Sequence, residues 1–123
     1  MKNNKYIVFD LSGTLASMRP ARLLLSKKTL LKLSKVYCFA IITGAKRTET
    51  LNILKKIGVI KLFPVDMIVT KDDTRLRKPD PRLFRILNCK EIIVYIGDTV
   101  NDARMAKDAG INFINIRDLL NII

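Results

Sequence analysis

A chain of 123 residues reads as a single domain spanning 1–123, long enough to bury about two thirds of its unfolded surface without disulfide staples. Its 23 lysines and arginines against 11 aspartates and glutamates leave a net charge of +12, which either attracts phosphorylated and polyanionic partners or makes only a solvated basic surface. With no histidine, and with Cys38 in VYCFAII and Cys89 in ILNCKEI set among apolar residues as buried thiols of a reducing compartment, a zinc site is not expected.

The longest apolar runs fall short of the roughly 18 residues a membrane helix requires. The N-terminal MKNNKYIVFD meets a charge too early for a secretory signal. A soluble, cytoplasmic protein without a membrane partner is expected. Aromatic residues are few and do not interleave with the basic ones, so nucleic acid stays open as a partner that no motif supports.

Taken in chain order, a strand is expected over Tyr6–Asp10 and a flap after it. Ser26 then caps a helix, KKTLLKLSK, with Leu30, Leu31 and Leu33 on a broad apolar face. A second strand covers Val36–Thr43. The helix Arg47–Ile57 follows, placing Leu51, Ile53, Leu54 and Ile57 on one side and stopping at Gly58. A third strand covers Met67–Thr70, and Asp80-Pro81 starts a helix through RLFRIL as N-cap and first-turn residue. The strand Ile92–Ile96, a helix Thr99–Ala109 ending at Gly110, a strand Ile111–Ile116 and a last amphipathic turn or two over Arg117–Ile122 complete the chain.

The strand-like runs are four to eight residues long and almost continuously apolar, as suits strands covered on both faces. Strand and helix alternate throughout. The expected fold is therefore α/β, with a doubly wound, mainly parallel, five-stranded Rossmann-like sheet.

Ligands of such sheets gather beyond the carboxyl ends of the strands, where strand order reverses. Asp10 ends the first strand, Thr43-Gly44 the second and Gly97-Asp98 the fourth, while Lys78 lies in the loop before the third helix. Four polar groups from distant parts of the chain thus converge on one edge. Each has a plainer reading: Asp10 as a cap, Thr43 as a turn former, Lys78 as a surface lysine, and Asp102 as a first-turn residue favoured by the helix dipole.

Two aspartates at adjacent strand ends can hold a hard cation such as Mg2+. With a phosphorylated substrate, Lys78 supplies a point charge, and Thr43 with the N–H groups after it supplies hydrogen bonds to the phosphoryl oxygens. Asp10 can then attack phosphorus to give an aspartyl-phosphate that water clears.

The segments FDLSGT (Phe9–Thr14), IITG (Ile41–Gly44), KPDP (Lys78–Pro81) and IGDTVND (Ile96–Asp102) together resemble the four ordered motifs of the haloacid dehalogenase (HAD) superfamily of phosphatases and phosphotransferases. The resemblance runs from Asp10 to Asp102. It implies that Asp10 is the nucleophile and a Mg2+ ligand, with the backbone carbonyl of Ser12 and the carboxylate of Asp98 as further ligands and Asp102 supporting the metal or its waters. Thr43 and Gly44 would bind phosphate, and Lys78 would steady the nucleophile and the phosphoryl charge.

Ser12 departs from the pattern. Most phosphatases of this family carry there a second aspartate that protonates the leaving alkoxide, help worth about 10²–10⁴-fold. Turnover should be slow, or restricted to good leaving groups such as acyl phosphates, pyrophosphates and nucleoside triphosphates. A threonine stands at this position in the phosphorylation domain of P-type ion pumps, whose hinge motif also resembles GDTVND, while KPDP resembles the soluble phosphoglycolate-phosphatase branch. A non-catalytic phosphate- or nucleic-acid-binding protein on the same fold is the alternative function.

Family members usually insert a substrate-selecting cap between these motifs. Here Thr43 follows Asp10 by 33 positions and Lys78 follows Thr43 by 35, which leaves no room for one. An uncapped site suits a macromolecular phosphate, or a homo-oligomer in which a neighbouring subunit closes the mouth. The basic run Thr74–Arg85, with Arg82 and Arg85 three apart on one helix side, is expected to flank that mouth as an anion funnel or as a solvated face.

Overall fold

The computed structural model describes residues 4–88 and 91–122. The expectation for Cys89 lies outside the described residues. A parallel sheet carries the fold, its strands being β1 (Lys5–Phe9), β4 (Cys38–Ile42), β5 (Ile68–Val69), β6 (Glu91–Gly97) and β7 (Phe113–Asn115) in the order β5-β4-β1-β6-β7. Between β1 and β4 stand a hairpin of β2 (Ala16–Met18) with β3 (Ala21–Leu23) and helix α1 (Lys27–Ser34). The remaining helices are α2 (Arg47–Lys56), α3 (Leu83–Ile86), α4 (Val100–Ala109) and α5 (Ile116–Ile122).

Alternation along the central strand builds two cores. Ile7 and Phe9 face a layer with Phe39, Leu30 of α1 and Ile53 and Leu54 of α2, whereas Val8 faces the opposite layer with Ala40, Leu83, Phe84, Met105 and Ala106. Full burial of each large side chain contributes roughly 1.5–3 kcal/mol. Phe9, Phe39 and Phe63 add a knot of three aromatic rings, with Phe9 meeting Phe39 edge-on at 5.1 Å and 78°. Both faces of the sheet are covered, and that is why its strands read as nearly unbroken apolar runs.

Local chemistry sets most boundaries as expected. The Ser26 side chain accepts the Thr29 N–H at the start of α1, and α4 ends on Gly110 at φ 72°. Elsewhere tertiary packing trims the strands. Val36 and Tyr37 belong to the turn after α1 because their N–H groups bond back to Leu33, and Met67 closes a 3-10 turn. Ile116 opens α5 instead of ending a strand.

The third helix is shorter than its sequence suggests. Asp80 to Arg82 form turns closed by three-residue bonds, so that regular helix begins only at Leu83, although Asp80 does cap by accepting the Arg82 N–H. Leu31 is exposed while Leu30 is buried, so α1 shows the core a narrower stripe than three leucines. Cys38 is half-buried, not fully buried. The segments that separate the motifs hold only the hairpin and α1, then α2, two 3-10 turns and β5, and no cap domain.

The chain runs from β1 outward through β4 and β5, then returns to lay β6 on the other side of β1. This reversal is the switch point. Asp10 follows β1 directly, its N–H bonded to the Ile96 carbonyl of β6, and Asp98 follows β6.

Candidate active site

Asp10, Asp98 and Asp102 each place a carboxylate oxygen within 4.8 Å of the others. Sequence separates them by up to 92 positions, and the parallel pairing of β1 with β6 brings them together. Lys78 closes the group. Its Nζ lies 2.7 Å from Asp10 Oδ1 and 2.9 Å from Asp102 Oδ1. The Leu11 N–H also donates to Asp10 Oδ1, at 2.8 Å.

Two glycines permit this density. Gly13 takes φ +80°, and a Cβ there would collide with the Asp98 carboxylate; a Cβ on Gly97 would lie 2.7 Å from Asp102 atoms. Any side chain at either position would push an aspartate out of the cluster.

Asp102 is fully buried and serves two structures at once. Its Oδ1 takes Lys78 and the Tyr95 hydroxyl, the latter at 2.8 Å, while Oδ2 takes the Thr99 hydroxyl and the N–H groups of Asp98 and Thr99. In return Thr99 Oγ1 accepts the Asp102 N–H, completing a capping box for α4. Asp98 is half-buried and accepts a hydrogen bond from Thr14 Oγ1 at 3.2 Å.

The electrostatics follow from three clustered carboxylates with one lysine, which bonds Asp10 and Asp102. Burial first, then the neighbouring charge of Asp102, pushes the Asp10 carboxyl up to about 7 despite the opposing pull of Lys78. Burial also raises Asp102, but the charge of Lys78 and hydrogen bonds from Lys78, Tyr95 and Thr99 outweigh it and hold the group below the usual carboxylate range. Burial and the charges of Asp10 and Asp102 raise the Tyr95 phenol well above its ordinary value, so Tyr95 stays protonated and donates.

This surplus of buried negative charge fits a divalent cation. Carboxylate oxygens are hard donors, the kind Mg2+ selects, and a cation would relieve the repulsion that now raises Asp10.

Thr43 and Gly44 follow β4 and line, with Asp10, Ser12 and Asp98, an open cavity of about 520 Å³. The Thr43 hydroxyl accepts the Ala45 N–H at 3.1 Å, which tightens the turn. A second void of about 20 Å³, large enough for a water, lies between Thr43, Gly44 and Lys78. Ser12 is exposed in the wall of the larger cavity. All the sequence-derived site residues therefore gather at one edge.

The basic run behaves differently from the expected funnel. Arg82 is engaged by Asp80 at 2.7 Å, and Arg77 bonds the carbonyls of Thr74 and Leu76. Arg82 and Arg85 open on a different cavity, of about 330 Å³, with Phe84 and Asp108. The arginine in the wall of the mouth is Arg19, at the tip of the β2–β3 hairpin.

Sequence reasoning missed Tyr95, Thr14 and Thr99 as well as Arg19. The signal for Tyr95 was there: a phenol inside an otherwise apolar strand needs a buried acceptor, and the nearest motif offers aspartates. Arg47 also escaped notice. It bonds both Asp73 oxygens, the closer at 2.7 Å, and the Ile68 carbonyl at 2.6 Å, tying the start of α2 to the loop after β5.

A parallel, doubly wound sheet that gathers three aspartates and a lysine at its switch point defines an α/β domain with a metal-compatible acidic centre. Within that class the chain belongs to the haloacid dehalogenase-like hydrolases, whose family model matches residues 26–116. It is similar to a phosphoglycolate phosphatase of Cereibacter sphaeroides, 34% identical over 83 residues, which make up 65% of this chain and 37% of that protein. The chain thus spans little more than a third of that relative's length. That relative lies on the side of the KPDP likeness.

Two solved structures share the fold. A hydrolase from Streptococcus pneumoniae TIGR4 superimposes with a TM-score of 0.74 at 16% identity, covering 99% of this chain and 98% of that one. CbbY from Rhodobacter sphaeroides, in complex with phosphate, gives 0.73 at 16% identity, covering 89% and 84%. Among the described residues, no helix is long and apolar enough to cross a membrane.

Proposed function

We propose that this domain hydrolyses phosphomonoesters with Mg2+ through an aspartyl-phosphate on Asp10. The observation that carries the reading is the contact of Lys78 with Asp10 at 2.7 Å, inside a cluster with Asp98 and Asp102 at the sheet's switch point. The similarity to a phosphoglycolate phosphatase supports it.

Asp10, Asp98 and the Ser12 carbonyl would hold the Mg2+, with Asp102 behind them. The ion when bound supplies charge neutralisation for the phosphoryl oxygens. Lys78 and Leu11 both bond Oδ1 of Asp10, which orients the carboxylate and leaves Oδ2 to attack. As the bond from Oδ2 to phosphorus forms, the bond from phosphorus to the leaving oxygen breaks, and that oxygen departs with the electron pair and takes a proton from solvent. Water then attacks the phosphorus of the aspartyl-phosphate, releasing inorganic phosphate and free Asp10. Thr43 and Gly44 line the wall where the phosphoryl oxygens would lie.

Ser12 cannot protonate a leaving alkoxide near neutral pH. Substrates that leave well without a proton are therefore favoured. Ser12→Asp should raise turnover of alkyl phosphates by roughly 10²-fold, the lower end of general acid–base help. A variant that folds, binds Mg2+ and shows no gain would refute this role for the position.

The first test is hydrolysis of an aryl phosphate with and without Mg2+, for wild type and Asp10→Asn. Turnover that requires both the metal and Asp10 is expected. A folded protein that binds Mg2+ and phosphate without turnover would instead favour the second reading, a phosphate-binding domain, for which exposed Ser12 in place of an acid is the specific observation.

A further inference from the structure

Resting on that reading, we infer that Arg19 is an anion subsite that selects small phosphomonoesters whose leaving group carries a second negative charge, a carboxylate or another phosphate. Arg19-Pro20 forms the two-residue tip of the β2–β3 hairpin, where Met18 pairs with Ala21. The tip is fixed from both sides. The Ser17 hydroxyl donates to the Pro20 carbonyl at 2.9 Å, and the Leu24 N–H bonds the Leu15 carbonyl, anchoring the hairpin to the loop that carries Ser12 and Gly13.

This places the Arg19 side chain in the wall of the cavity that also holds Asp10, Ser12 and Thr43. Among the described residues it makes no hydrogen bond and no ion pair, so its guanidinium is uncommitted. Arg47, Arg77 and Arg82, in contrast, each have protein acceptors. Glu49, in the first turn of α2, shares the cavity wall. An anionic leaving group is repelled there and drawn toward Arg19.

The volume of about 520 Å³ lies in the range of small-ligand sites. A phosphoryl group at Asp10 leaves room for a short leaving group that reaches the tip. A guanidinium binds a carboxylate or a phosphate through two parallel N–H bonds, a geometry a lysine does not match. Since the mouth holds carboxylates at its base and on the Glu49 side, Arg19 is the group that distinguishes a doubly anionic substrate from a singly anionic one.

The test compares phenyl phosphate with 3- and 4-carboxyphenyl phosphate in Mg2+, for wild type, Arg19→Gln and Arg19→Lys, reading the ratio of kcat/KM values. Pyrophosphate forms a parallel arm for a second phosphate. Wild type should prefer at least one second-anion substrate by about tenfold, a preference that shrinks with added salt. Arg19→Gln should collapse the ratio toward one, Arg19→Lys should keep part of it, and Glu49→Gln should enlarge it. Equal ratios in wild type and Arg19→Gln would overturn the subsite while leaving the hydrolase reading intact. No turnover of any compound by wild type would sink the hydrolase reading, and calorimetric binding of the same compounds to wild type and Arg19→Gln would then decide the subsite alone.

Discussion

Two clusters of charge sit at the same edge of this sheet, and they differ in how fully donors meet their carboxylates. At the switch point three aspartates gather, and one lysine bonds two of them, Asp10 and Asp102. Beside it, Asp73 has Arg47 on both of its oxygens, plus the N–H and hydroxyl of Thr70, while Asp72 accepts the N–H that opens α2. Burial alone would raise Asp73, but the hydrogen bonds from Arg47 and Thr70 and the charge of Arg47 together outweigh it and lower the group. Asp10 ends up near 7. The same residue types thus give a brace where each carboxylate has donors of its own, and a poised, cation-seeking centre where buried carboxylates crowd one another.

The sharpest way to separate the two is to remove each cation. Lys78→Met should lower kcat/KM for an aryl phosphate by about 10²–10³-fold, the usual effect of deleting one charge from a preorganised site. Comparable activity in the variant would break the assignment. Next in size is pH. If Asp10 must lose its proton to receive Mg2+, the measured affinity should fall by up to about tenfold per pH unit below about 7 and level off above it.

The same shift has a consequence for the metal-free protein. A folded-state value raised above the unfolded one means the native state binds the proton more tightly, so this group's contribution to stability is full below about 4. It declines as pH rises toward about 7. Asp73 and Asp102 have the opposite sign, with contributions present above the unfolded value and lost in acid. Melting in a chelator between pH 5 and 8 should show a declining limb that Asp10→Asn removes. A limb of equal slope in the variant would assign it elsewhere.

Arg47→Met should reverse the pattern of Lys78→Met, costing about 1–2 kcal/mol of stability with less than about a tenfold change in kcat/KM. Denaturant melts and kinetics on one preparation check both numbers. The smallest effect belongs to Tyr95→Phe, which keeps the edge-on ring contact with Phe84 at 5.1 Å and deletes one bond to Asp102. About 1 kcal/mol is expected, since Lys78 and Thr99 still satisfy that carboxylate.

Much of this was legible beforehand, because the informative features are local or periodic. Five apolar runs announced the five strands, Ser26 and Gly110 announced helix ends, and the carboxyl ends of the strands placed Asp10, Thr43 and Asp98 at one edge, with Lys78 in the loop before the third helix. The hairpin was expected only as a flap. ASM and ARL hold no β-branched or aromatic residue and are too short to show alternation. The α3 boundary slipped because Asp80-Pro81 suits a turn as well as a helix start. What stayed out of reach is the pairing of distant side chains: Tyr95 with Asp102, Arg47 with Asp73, and Arg19 with the mouth all depend on which loop lies over which.

Asp102 holds the start of α4 with one oxygen and the Lys78–Tyr95 side of the centre with the other. A descendant without activity would still be under pressure to keep it, because its loss would leave the Tyr95 hydroxyl and the N–H groups of Asp98 and Thr99 at the start of α4 without their acceptor. Among the described residues, Asp98 accepts the Thr14 hydroxyl and faces Asp10, and it holds no helix start. In any survey of related chains, retention of Asp98 is therefore the more telling witness to live chemistry, and retention of Asp102 testifies first to a folded protein.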